Sequence, residues 1–112
     1  MFKRVTLVRK LPHLTSGQFE QAWLGEHIEY AKRLPGLREY VIDLVTLGPP
    51  GSPDGIATVR FDTREACDAA FATPGLREDL PRTRNEFADS VDVLFVDERV
   101  IAQDRSQGRG VQ

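Results

Sequence analysis

Proline and glycine cut this chain into pieces that leave room only for short, alternating elements. Pro12, the pair Pro35-Gly36, the run Gly-Pro-Pro-Gly-Ser-Pro-Asp-Gly at 48–55 and the pair Pro74-Gly75 each interrupt regular structure. Proline lacks an amide donor, and glycine takes backbone conformations that other residues avoid. Between the breaks, hydrophobic periodicity decides the type of element. Residues 2–10 alternate at near period two, Val5 and Leu7 on one face and Thr6 and Val8 on the other, which reads as a strand. Beyond Pro12, Thr15 or Ser16 offers an N-cap oxygen. Phe19, Ala22, Trp23, His27, Tyr30, Ala31 and Leu34 then recur at three- and four-residue spacing, so one helix is predicted up to the Pro35-Gly36 stop.

The pattern then repeats with a second strand inserted. Residues 37–47 are rich in β-formers, among them Tyr40, Val41, Ile42 and Val45, and residues 56–62 alternate Ala57, Val59 and Phe61 against Ile56, Thr58 and Arg60. Thr63 caps a second helix reaching about Thr73. Leu76, Leu80, Phe87 and Ala88 mark further helix, which Pro81 is expected to break into two short pieces. A fourth strand is predicted over 91–101, with Val91, Val93 and Phe95 opposite Leu94, Val96 and Val100. This gives one domain over residues 1–102 and a polar, mobile tail over 103–112.

Strand, helix, strand, strand, helix, strand is the ferredoxin-like βαββαβ order of the α+β class, with both helices on one face of a four-stranded antiparallel sheet. Strands three and four carry apolar residues on both faces, yet the helices cover only one. A homodimer packed sheet to sheet would bury the other.

Composition narrows the function. Fifteen Lys and Arg against 17 Asp and Glu leave a net charge of −2, so no general attraction to nucleic acid is expected. No stretch approaches the roughly 20 apolar residues of a membrane span, and charge interrupts the first ten residues before a signal-peptide core can form. Cys67 is the sole cysteine, which rules out an intrachain disulfide and fits a cytoplasmic location.

The two histidines, His13 and His27, stand on different elements without a ligand partner at metal-binding spacing, so no metal site is predicted. Gly-x-Gly-x-x-Gly, Walker A and Gly-x-Ser-x-Gly sequences are absent. His27 is the candidate for chemistry, because its spacing from Phe19 and Trp23 turns the imidazole toward the sheet. Desolvation there would keep it neutral and able to accept a proton as a general base. A core histidine bonded to a backbone carbonyl fits the position equally well. Tyr30 and Tyr40 could add hydroxyls and Trp23 an apolar wall. Mid-strand Arg60 reads as an edge-strand surface charge, or as a group facing a partner subunit.

Several of these residues also form a pattern. Thr15, Phe19, Trp23 and His27 stand at Thr-x3-Phe-x3-Trp-x3-His, followed by Leu34-Pro35-Gly36-Leu37, Tyr40, Asp54-Gly55, Phe61-Asp62 and a small-residue helix ending Ala-Thr-Pro-Gly. Over residues 1–101 the sequence resembles the EthD-like (ethyl tert-butyl ether degradation) group of the dimeric α+β barrel superfamily. It departs from the group where Thr58-Val59-Arg60-Phe61 replaces a frequent Glu-x-Trp-Phe. The resemblance implies a dimeric barrel with a cavity between helices and sheet in each subunit. His27 would be the cavity histidine, with Trp23, Tyr40, Ala57, Val59 and Phe61 as lining. It also implies a small apolar, cyclic or aromatic-derived ligand, handled without a cofactor by isomerase-, cyclase- or lyase-type proton transfer. A non-catalytic accessory to an oxidative degradation system is the alternative.

Overall fold

The computed structural model describes residues 1–104, so most of the tail expected over 103–112 lies outside the described residues. Four strands, β1 (Phe2–Lys10), β2 (Glu39–Leu44), β3 (Gly55–Phe61) and β4 (Ala88–Asp97), form one sheet in the order β2-β3-β1-β4. Every pairing is antiparallel. The ferredoxin-like α+β fold is therefore the observed one. Register aligns rows of side chains: Phe95, Arg4, Val59 and Tyr40 share one, and Val93, Thr6, Ala57 and Ile42 the next. Both rows face the helices, because paired residues project on the same side.

The helices differ more from expectation. Thr15 and Gln18 cap α1 (Ser16–Ala22) reciprocally, at 3.1 Å and 2.9 Å. The predicted single helix then changes at Trp23–His27, where the backbone widens into a π-turn and leaves helical geometry at Gly25 (φ −90°, ψ −123°), before α2 (Ile28–Ala31) resumes. Gly36, at φ 78°, supplies the left-handed turn just beyond the helical segment. Thr63 caps α3 (Arg64–Phe71) as predicted.

Pro81 does not split the next segment. It sits inside one continuous α4 (Leu76–Arg84), held by the burial of Leu76, Leu80 and Thr83. Tertiary packing overrides the lost amide bond there. Ala88 belongs to β4, and that strand stops at Asp97 rather than Ile101, because Phe2 is the last β1 residue that pairs with it. Strand β2 is likewise shorter than the predicted 37–47 segment.

One core cluster gathers Leu34, Phe61, Cys67, Ala70 and Leu80, and a second gathers Val8, Phe19, Trp23 and Phe87. The outer sheet face carries Val5, Leu7, Val41, Ile56 and Leu94 in register. Arg60 lies on this face, in an inner rather than an edge strand, in direct contact with Glu98 and 3.3 Å from Glu39. Lys3 joins Glu98 at 3.5 Å. Arg9 and Asp92 pair toward the opposite end of β1, at 3.1 Å.

Candidate functional site

Between the helices and the inner sheet face lies a cavity of about 290 Å³. Its floor is the sheet, through Arg4, Thr6 and Val8 of β1, Ala57 and Val59 of β3, and Tyr40 of β2. One wall comes from Trp23, His27 and Ala31, the other from α4 and Phe87. A volume of this order suits a ligand of one or two rings.

Trp23 reaches its place because β3 begins with glycine. A side-chain carbon at Gly55 would fall on the indole, overlapping Cζ3 and lying 3.0 Å from Cη2. The indole stacks on Phe87 at 5.3 Å between ring centroids. Phe87 in turn meets the His27 ring edge-on at 5.2 Å. The imidazole thus lies against the aromatic pair through Phe87, in a setting that disfavours its charged form.

Hydrogen bonding fixes the ring further. His27 Nδ1 lies 2.7 Å from Thr83 Oγ1. The Thr83 hydroxyl is fully buried and already directs its proton at the carbonyls of Asp79 (2.8 Å) and Leu80 (3.2 Å). Having one proton to give, Thr83 accepts from His27, which assigns the hydrogen to Nδ1 and leaves the Nε2 lone pair open. His27 Nε2 makes no side-chain hydrogen bond, and no partner-less side-chain nitrogen or oxygen is buried, among the described residues. Burial lowers the His27 pKa to about 4, the Arg84 charge adding to the effect and the Leu80 carbonyl opposing it. The ring is therefore neutral near pH 7. Burial pushes the Tyr40 phenol up, with the Trp23 side chain opposing, so Tyr40 keeps its proton.

Of the residues singled out from sequence, Trp23, His27, Tyr40, Ala57 and Val59 meet around the cavity. Phe61 and Tyr30 are not among its lining. Phe61 is sealed in the core, while the Tyr30 hydroxyl turns to Glu26 (3.3 Å) and Arg82 (3.4 Å). Tyr30 stands on the flank of the His27, Ala31 and Leu34 row that lines the cavity. Arg4, Thr83 and Arg84 escaped the sequence reading. Arg4 and Thr83 were nonetheless detectable, Arg4 by sharing the strand parity of Thr6 and Val8, and Thr83 by standing seven residues after Leu76 on the apolar stripe of α4.

The family model described as the EthD domain matches residues 11–90. The chain belongs to the EthD family. Among solved structures it is similar to an EthD family protein from Bacillus halodurans, at 17% identity and a TM-score of 0.71, covering 88% of this chain and 100% of that one. It is also similar to a dimeric ferredoxin-like protein of unknown function from Thermobifida fusca, at 16% identity, a TM-score of 0.67 and coverage of 85% and 88%. A third is a variant of SnoaB, a cofactor-independent oxygenase from Streptomyces nogalater, at 16% identity, a TM-score of 0.60 and coverage of 92% and 95%. At these identities the likeness speaks for the fold. No curated protein matches the sequence. No helix among the described residues of this EthD protein is long and apolar enough to cross a membrane.

Proposed function

We propose that this EthD protein is a cofactor-free enzyme that moves a proton on a small apolar, cyclic or aromatic-derived molecule, with His27 Nε2 as general base. The observation that supports the reading is the 2.7 Å contact of His27 Nδ1 with Thr83 Oγ1, whose own proton is directed at helix carbonyls; this favours the hydrogen on Nδ1 and the free lone pair on Nε2. Trp23, Ala57 and Val59 would hold the ring system, and protonated Tyr40 would donate to an oxygen that gains charge as the proton leaves. Isomerase and lyase reactions of catabolism begin with such a step. A purely sequestering accessory protein needs no oriented base and no second polar group in its cavity, so the convergence of His27 and Tyr40 favours catalysis.

The test is solvent-deuterium exchange into enolisable lactones and aromatic ketones, followed by NMR. Wild-type protein should catalyse the exchange and His27→Gln should lose it; equal rates for both would sink the proposal. The fold shared with SnoaB supports a second reading, in which the same proton removal prepares the substrate for dioxygen. Oxygen uptake that depends on substrate and on His27 would select it.

We also propose that the working unit is a homodimer joined through the outer sheet faces. The apolar cluster around Val5 and Leu94 and the dimeric state named for the Thermobifida fusca relative support this.

A further inference from the structure

The arginines of this chain are mostly spoken for. Arg9, Arg38, Arg60, Arg64, Arg77, Arg82 and Arg99 each pair with a carboxylate. Arg33 is exposed and lies over the Tyr30 ring. Arg4 and Arg84 differ from all of these. Arg77 also lines the cavity but is held by Glu78, whereas Arg4 and Arg84 line it with no ion pair or side-chain hydrogen bond among the described residues, and no Asp or Glu is itself in the lining. Burial lowers the pKa of Arg4, with Cys67 opposing and the Arg84 charge adding to the fall. Two uncompensated cations drawn into one half-buried space disfavour each other unless an anion joins them.

The geometry also leaves Arg4 ready to bind. Its guanidinium carbon lies 3.9 Å from the centroid of the Phe71 ring. Stacking holds a guanidinium through its face and leaves the in-plane N–H fork free to donate. That fork matches the two oxygens of a carboxylate, which an amide or ester cannot imitate in charge. Arg84 approaches from α4 on the other side, near enough that its charge is felt at both Arg4 and His27.

We propose that Arg4 and Arg84 form an anion subsite within this cavity, and that the ligand is an apolar ring system carrying a carboxylate. This rests on the reading of the cavity as a ligand site, and is independent of whether His27 acts as a base.

Isothermal titration calorimetry with 2-naphthoate and with 2-naphthamide, at low and at moderate salt, tests it. Naphthoate should bind at least about tenfold more tightly than the amide, as a charge-assisted pair at a partly desolvated site requires, and salt should erode the difference. Arg84→Gln and Arg4→Met should each remove most of the preference while leaving amide binding in place. Arg38→Gln, which deletes an equal charge at an exposed pair away from the cavity, should leave it intact. If Arg4→Met fails to fold, Arg84→Gln alone decides. Equal affinity for the two probes, binding of neither, or a preference that survives Arg84→Gln would overturn the subsite. Naphthoate binding that persists in His27→Gln, with proton exchange lost, would uphold it separately from the catalytic reading. Naphthoate binding without any exchange in wild-type protein would uphold it while removing that reading.

Discussion

Gly55 and Trp23 share one space: the indole rests on the β3 backbone where any side chain would stand. Gly55→Ala must therefore push the ring off Phe87 and into the cavity. We expect a loss of about 1–3 kcal/mol in stability, the usual range for overpacking a core. Urea unfolding measures the loss. Because Trp23 is the sole tryptophan, its fluorescence should shift in the folded variant as well. An unchanged spectrum and midpoint would mean that the indole does not sit on Gly55.

Thr83→Val keeps the shape of the side chain and removes the group that accepts from Nδ1. Stability should fall by about 1–2 kcal/mol, because one buried polar contact is left unmade. Nitrogen-15 shifts of the His27 ring should report the Nδ1–H tautomer in the wild-type protein and a mixture in the variant. Thr83→Ser should restore the single tautomer. A wild-type ring protonated on Nε2 would reverse the assignment of the base.

The low pKa of His27 makes folding pH-dependent with a definite sign. The unfolded ring takes up a proton near its ordinary 6.5 and the folded ring only near 4. Its contribution to stability is thus complete above pH 6.5 and is lost as pH falls through the window from 6.5 to about 4. Carboxylates titrate in the same range, so the measurement is the difference between wild-type protein and His27→Gln. The variant should lose less stability across that window. Parallel curves would place the ring in an environment as polar as water.

Val5 and Leu94 are paired neighbours on the outer sheet face. Val5→Glu would put a charge at the centre of the proposed dimer contact, where desolvation penalises it. Sedimentation velocity should give about twice the 12.6 kDa subunit mass for the wild-type protein and the subunit mass for the variant. A wild-type monomer would remove the sheet-to-sheet pairing.

Most of the fold was legible because alternation and helical spacing are written by burial, and burial is what the sheet and the helices on one of its faces impose. Element ends were less legible, since they depend on partners. The β4 strand ends at Asp97, opposite Phe2 of β1, and Pro81 stays helical because Leu80 and Thr83 beside it are buried. The same division holds for the site. His27, Trp23, Tyr40, Ala57 and Val59 follow from which face each occupies. The π-turn is not read from the spacing, and Tyr30, on the flank of the row formed by His27, Ala31 and Leu34, spends its hydroxyl on Glu26 and Arg82. Arg4 and Arg84 went unread because an isolated arginine defaults to the surface, and what distinguishes these two is that they line the cavity without an ion partner.

The sheet order has a temporal consequence. Strand β1 is inner, clasped between β3 and β4, and the His27–Thr83 bond joins residues 56 positions apart. The first strand therefore has to wait, half-paired, until the last emerges. On a ribosome the cavity would have a floor and one wall long before its second wall, with the inner edge of β1 open to mispairing throughout. Ligand capture would begin only once synthesis of the fold is essentially over.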